Sequence, residues 1–317
     1  MSTETTLTNS GDEPMPWVTI VTPTYNQSAY LAETIDSVLA QDYPRLEYIV
    51  LDDGSTDDTP AVLARYDGKI QHQRHDNIGQ SSTLNRGWAM ARGSLIGYLS
   101  SDDLLEPGAI SHLVTALQTH PDAVVAYGDF KLIDAKGRHF RDVQAEDFDV
   151  NRLCVDLVCQ PGPGALMRRQ LFNETGGWAP SLRQIPDFEF WLRAVSFGPF
   201  IRVNQRLARY RVHEDSASFH AMPPERAIEI YMAVLNYWGE TPGRDASRAI
   251  ARSLCIVAKN HAQSGRSIIG GKYLIKALFL SPFIALSWLT WKQFILGIIY
   301  SKIGPAAVIW RFKRLAT

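Results

Sequence analysis

Between Trp17 and Asp103 short apolar runs alternate with helical patterns, and each apolar run ends in a polar turn. Val18 to Thr22 reads as a buried strand, and Ser28 stands where it can cap a helix turning Leu31, Ile35, Val38 and Leu39 inward. Tyr48 to Leu51 is the next strand. Asp57 then caps a helix running to about Tyr66, Gln80 to Arg92 is helical with Gly93 as its stop, and Leu95 to Leu99 is a third buried strand. Parallel neighbours can be joined only by crossovers, so this alternation requires an α/β chain with a mostly parallel, Rossmann-like sheet and helices on both faces. A length of 317 residues is enough for one large domain or two medium ones with a substantial core.

In such sheets ligands gather at the carboxyl ends of the strands. Here those ends read Pro23-Thr24-Tyr25-Asn26, Asp52-Asp53-Gly54-Ser55-Thr56-Asp57 and Ser100-Ser101-Asp102-Asp103. Ordinary turn and cap chemistry explains any one of them. Together they crowd Asp52, Asp53, Asp102 and Asp103 at one edge, where carboxylates repel unless a cation or hydrogen-bond donors neutralise them. Oxygen ligands of this kind suit Mg²⁺ or Mn²⁺ shared with phosphate oxygens, so a metal diphosphate is the natural occupant. No glycine-rich phosphate loop follows the first strand, which excludes the common dinucleotide oxidoreductases and P-loop nucleotidases.

The segments Val18 to Thr59 and Asn77 to Ile110 strongly resemble the family 2 inverting glycosyltransferases of the GT-A fold, the fold of nucleotide-diphospho-sugar transferases, and the likeness runs in order from about Trp17 to Ser218. The resemblance implies that Pro23, Thr24 and Tyr25 lie against the nucleotide, that Asp53 hydrogen-bonds the base with Asp52 beside it, and that Ser101 belongs to the same site. It aligns Asp102 with the family's metal ligand and puts Ser100 where the family's first aspartate often stands, leaving Asp103 as a helper. Gly176-Gly177-Trp178 followed by Pro186-Asp187-Phe188-Glu189 resembles the turn and helix start that carry the catalytic base. Asp187 takes that position, with Glu189 as the alternative; a carboxylate there would remove the acceptor hydroxyl's proton during in-line attack. Tyr210-Arg211-Val212-His213 resembles the closing motif, implying that Arg211 contacts the donor and His213 the metal. Gln160 to Gly164 falls where the family lines its acceptor cleft.

The 32 basic and 33 acidic residues nearly cancel, yet every acid lies at or before Asp245 and 11 of the bases follow it. The basic tail is also apolar. Ala277 to Trp291 is the longest uncharged run there, about 22 Å as helix against a hydrocarbon core of about 30 Å, and Ser281-Pro282 interrupts it. With Trp288, Trp291, Tyr300 and Trp310 among the lysines and arginines, the tail reads as an interfacial helix pair on an anionic membrane surface; the alternatives are a packed lid and a true span. Nucleic acid is not expected as a partner, because the bases are interleaved with aliphatics. Three cysteines in no metal or redox spacing suit a reducing compartment.

The expected organisation is a disordered leader over residues 1–15, a catalytic domain over 16–220, and a helical region over 221–317 whose membrane-associating tail starts near 271. The expected activity is metal-dependent, inverting transfer from a nucleotide-diphosphate sugar to a glycan or lipid-linked acceptor in surface polysaccharide or lipid-linked glycan synthesis. The expected place is cytoplasmic, peripheral on the inner face of the plasma membrane. The rivals are a sugar nucleotidyltransferase, which needs a basic glycine-rich loop after the first strand, and a non-catalytic sugar-nucleotide-binding or membrane scaffold protein.

Overall fold

The computed structural model describes residues 15–214, 221–239, 243–303 and 309. The leader except Met15, residues 215–218 of the closing motif, and the last tail residues with Trp310 and Arg311 lie outside the described residues.

The first half is built as its periodicity dictates. Strands β1 (Val18–Thr24), β2 (Leu46–Asp52), β3 (Gln71–Arg74) and β4 (Leu95–Tyr98) are parallel, in the order β3-β2-β1-β4. Helices α1 (Ser28–Leu39), α2 (Thr59–Ala64) and α3 (Gln80–Met90) make the crossovers. Alternate residues of each strand serve opposite faces. Val18 and Ile20 of β1 with Tyr48 and Val50 of β2 join Leu31, Ile35 and Val38 of α1 and Val62 and Leu63 of α2. Val21, Ile49 and Leu51 face the other way onto Leu84 and Trp88 of α3. That helix lies close because residue 87 is glycine; a Cβ there would strike the Val21 side chain. Leu39 differs from expectation: it is exposed at the end of α1, one step past the buried stripe.

Beyond β4 the sheet becomes mixed. Strands β5 (Leu104–Leu105), β6 (Val125–Asp134), β7 (His139–Val143), β8 (Leu166–Arg168) and β9 (Phe200–Val212) complete a nine-stranded sheet in the order β3-β2-β1-β4-β8-β6-β9-β5, with β7 on β6. Strand β8 is antiparallel to both β4 and β6, whereas β6 and β9 run parallel. Helix α4 (Ala109–Thr119) covers the α1 face, and α5 (Val150–Cys154), α6 (Arg169–Thr175) and α7 (Pro186–Ala194) contribute to the α3 face.

Past the sheet come α8 (Pro224–Ala227), α9 (Glu229–Trp238), α10 (Arg244–Gln263), α11 (Ser267–Leu280), α12 (Pro282–Ala285) and α13 (Trp288–Tyr300). Pro282 ends α11 as expected, having no N–H to continue it. One face of α11 to α13 packs on α10, through Leu274, Ala277, Ile284 and Phe294 against Ala251, Leu254, Ala258 and Ala262. The other face carries bare apolar side chains, with Phe279 85%, Phe283 89% and Trp288 77% exposed. Among the described residues no helix is long and apolar enough to cross a membrane.

Candidate active site

The ends of β1 and β2 are tied together before any ligand arrives. The chain leaves β1 through Asn26, whose φ of 53° lies in the left-handed region that asparagine tolerates. Its Oδ1 accepts the N–H of Thr56 at 2.7 Å, and its own N–H donates to Ser55 Oγ at 2.9 Å. Asp57 accepts the N–H of Ser28 and of Thr59, both at 3.0 Å, so one carboxylate serves the starts of α1 and α2, and the cap expected of Ser28 falls to it. Burial raises the Asp57 pKa, but hydrogen bonds from Thr59 and Ser28 outweigh that and hold it down at about 2.

A cleft of about 490 Å³ opens on this rim, lined by Pro23, Thr24, Tyr25, Asp53, Ser101 and Asp102 among the expected residues. Tyr25 is 47% exposed there. Asp53 is buried, and its two oxygens accept the N–H groups of Ile78 and Gly79 at 2.7 and 2.9 Å. It therefore shapes the loop before α3, while each oxygen keeps a second lone pair for a ligand. Asp52 differs from expectation. It is fully buried, is not part of the cleft lining, and accepts the Ser55 N–H at 2.9 Å, holding the turn from behind.

His213 is buried and is not part of the cleft lining; its Nε2 lies 3.0 Å from Oδ2 of the lining Asp102, with the imidazole 4.8 Å from the Tyr30 ring. Asp103 points away into the fold and accepts the Arg211 N–H at 2.8 Å. Burial first, then the neighbouring Asp102 charge, pushes its carboxyl well above the usual range. Arg211 is also displaced from its expected place. Only 1% exposed, it donates from Nε to the Asp102 carbonyl at 2.8 Å and from a terminal nitrogen to Glu33 Oε2 at 2.7 Å, and it stacks over Tyr30. With its donors committed to protein, it braces the Asp102 turn and is not part of the cleft lining.

Pro186 starts α7 where its missing N–H costs nothing, and Asp187 and Glu189 both fall in the first turn. They differ sharply in company. Glu189 is held by Arg193 through two bonds of 2.7 and 2.8 Å, and Arg193 also donates to the Thr175 and Gly177 carbonyls. Both Glu189 oxygens are thus engaged by Arg193. Among the described residues no cation pairs with Asp187; burial raises its pKa, partly offset by the backbone N–H groups of Phe188 and Asp187. Tyr98 and Cys159 both feel its charge, and Tyr98 also feels that of Asp103 and of Tyr210, a cleft residue. Asp187 is not itself part of the cleft lining; it follows the lining Arg183 by four residues. Of the expected acceptor loop, Gln160 is buried with its Nε2 on the Asp147 carbonyl at 2.8 Å.

Arg183 and Arg226, which sequence reading passed over, complete the cleft. The Arg183 guanidinium lies against Gly79, whose φ of 89° and missing Cβ leave room for it. The Arg183, Gln184 and Ile185 N–H groups all donate to the buried Glu229 carboxylate of α9, at 2.6 to 3.3 Å. A residue outside the resembling segment thus fixes the approach to Asp187. Nothing in local spacing marks these residues, because their roles come from contacts between distant segments.

The sequence profile described as Glycosyl transferase family 2 matches residues 19–176. The chain belongs to this family. It is 31% identical over 221 residues to an uncharacterized glycosyltransferase of Rickettsia felis, across 65% of this chain and 36% of the relative. The chain therefore matches little more than a third of that relative's length. The structure of TarS 1-349 from S. aureus in complex with UDP-GlcNAc superposes with a TM-score of 0.64 at 17% identity, covering 89% of each chain. Mannosyltransferase PcManGT from Pyrobaculum calidifontis, in complex with GDP-Man and Mn2+, gives 0.57 at 17% identity, over 93% of this chain and 88% of that one. These likenesses place the mixed sheet of this family 2 chain in the GT-A fold.

Proposed function

We propose that this glycosyltransferase moves a sugar from a nucleotide-diphosphate donor to an acceptor hydroxyl with inversion. The observation that carries the reading is the cleft itself: Asp53, Asp102, Arg183 and Arg226 line one space of about 490 Å³, and Asp187, unpaired with any cation among the described residues, stands in the first turn of α7, four residues after Arg183. Asp53 and Tyr25 receive the base, and the two arginines balance the diphosphate's charge. Asp187, made more basic by burial, takes the proton of the acceptor hydroxyl as its oxygen attacks the anomeric carbon from the face opposite the nucleotide.

Asp102 and His213, a carboxylate oxygen and an imidazole nitrogen held 3.0 Å apart, are the pair that would hold a divalent cation. Among the described residues no group of three or more His, Cys, Asp or Glu side chains could hold a metal. Donor oxygens and water would complete the shell. Bound there, Mg²⁺ or Mn²⁺ would offset charge on the departing diphosphate. The bare apolar face of α11 to α13 supports attachment to the inner face of the plasma membrane, and with it a lipid-linked or surface-polysaccharide acceptor.

A panel of α-linked UDP, GDP and dTDP sugars with Mn²⁺ tests this reading through release of nucleoside diphosphate and the product's anomeric signals in NMR. The expected result is turnover of one donor class to a β-linked product, lost with chelator or in Asp102→Ala. An α-linked product, or full turnover without a divalent cation, would contradict it.

A further inference from the structure

A second cavity plays no part in the proposed chemistry. It measures about 840 Å³ and lies between the catalytic body and the tail. Its two walls differ in kind. Arg244, Arg248 and Arg252 of α10, with Arg152 of α5, make one side basic; Leu280, Phe283 and Leu289 make the other apolar. Among the described residues Asp156 is the one acid in the lining, bridged to Arg152 at 2.8 Å and Arg252 at 2.7 Å. Arg248 meets Asp245 at a looser 3.3 Å, and no acceptor is found for the Arg244 side chain among the described residues. The Arg252 Nε is buried without an acceptor. A basic wall with a spare donor calls for an anion with several oxygens. The apolar wall calls for a hydrocarbon chain on that anion, because a free phosphate would leave it wet.

We infer that this cavity binds a membrane lipid through its phosphate, with the phosphate on Arg244, Arg248 and Arg252 and the chain against Phe283, Leu280 and Leu289. The position of the mouth rests on the proposed membrane attachment: all three apolar residues belong also to the bare face of α11 to α13, so the cavity opens where that face would meet lipid. Leu157 and Val158, which line it, run directly into the loop from Gln160 to Gly164 where the acceptor cleft is expected. A bound lipid phosphate would thus anchor the body by the segment leading into that loop.

Calorimetric titration of the full chain with dioctanoyl phosphatidic acid below its micelle concentration tests the inference, with dioctanoyl phosphatidylcholine and inorganic phosphate as comparators. No sugar donor is present, so the outcome is independent of transfer, and a single lipid molecule suffices without a bilayer. The expected result is one phosphatidic acid per chain, bound at least about tenfold more tightly than either comparator and weakened at least about tenfold in the Arg244→Ala/Arg248→Ala variant. Phe283→Asp, a change at a bare position, should weaken it comparably, with the melting temperature kept in each variant. Equal affinity for inorganic phosphate, equal affinity for phosphatidylcholine, or unchanged binding in the variants would overturn it. Should vesicle flotation fail while this one-site binding persists, the membrane reading of the tail falls and the cavity assignment stands.

Discussion

Two carboxylates two positions apart on α7 meet opposite fates, and the difference was invisible in the sequence. Asp187 and Glu189 each fit a base at a helix start; only the fold reveals that Arg193 has claimed Glu189. Arg211 carries the same lesson, since its motif suggests a ligand contact and its burial makes it a brace between Asp102 and Glu33. The two cations left in the cleft are Arg183 and Arg226. Arg183→Ala and Arg226→Ala should each weaken nucleoside-diphosphate binding about tenfold, the loss of one charge-assisted contact, and weaken the nucleoside alone much less. Titration of both ligands reads this, and equal losses for the two would place the arginines away from the phosphates. What was legible at this scale was local: the Asp52 bond in the turn after β2 and the Asp57 bond to Thr59 join residues two or three positions apart, whereas the turn after β1 is held by Ser55 and Thr56 from across the sheet.

At the scale of elements, β1 to β4 were readable because each is a short apolar run bounded by turn residues and followed by an amphipathic helix. The remainder was not. Strand β8 has three residues, β5 has two, and β9 pairs with β6 across a long intervening stretch with register shifts near Asp129. Such pairings rest on distant contacts. Glu106, at the end of β5, ties β9 to β6 by accepting from Arg209 at 2.9 Å and Lys131 at 2.8 Å. The Arg209 hydrogen bond, and after it Lys131, prevails over burial and lowers its pKa from 4.5 to about 2. A depressed carboxyl stabilises the fold above its unfolded pKa and loses that contribution as pH falls through the folded value. Glu106→Gln should therefore lower the melting temperature at pH 7 by roughly 3 °C, about 2 kcal/mol once the half-exposed Arg209 is allowed for. The difference should shrink between about pH 4.5 and 2. A gap in melting temperature that stays constant over that range would show the ion pairs to be irrelevant to it.

For the whole molecule, the charge asymmetry of the sequence becomes a division of labour between an acidic body and a basic, apolar tail. The packed lid and the interfacial helix pair were alternatives in sequence terms, yet α11 to α13 are packed on α10 along one face and bare along the other. A period analysis cannot separate the two, because such a helix is apolar nearly all round. Flotation with vesicles should carry the full chain upward on anionic lipid at low salt and release it in part at high salt, with Trp288→Asp and Phe279→Asp together reducing recovery severalfold. Recovery unaffected by both salt and these substitutions would remove the tail from membrane contact. The central claim is that Asp187 is the base of a sugar transfer run in the cleft between Asp53, Asp102, Arg183 and Arg226. Its most direct test is single-turnover transfer by Asp187→Asn, measured beside the dissociation constant for the nucleoside diphosphate. Transfer should slow at least ~10²-fold with binding unchanged, and the melting temperature at pH 7 should equal or exceed that of the parent, because desolvation disfavours the charged carboxylate in the fold. Transfer at the parent's rate in Asp187→Asn would contradict it.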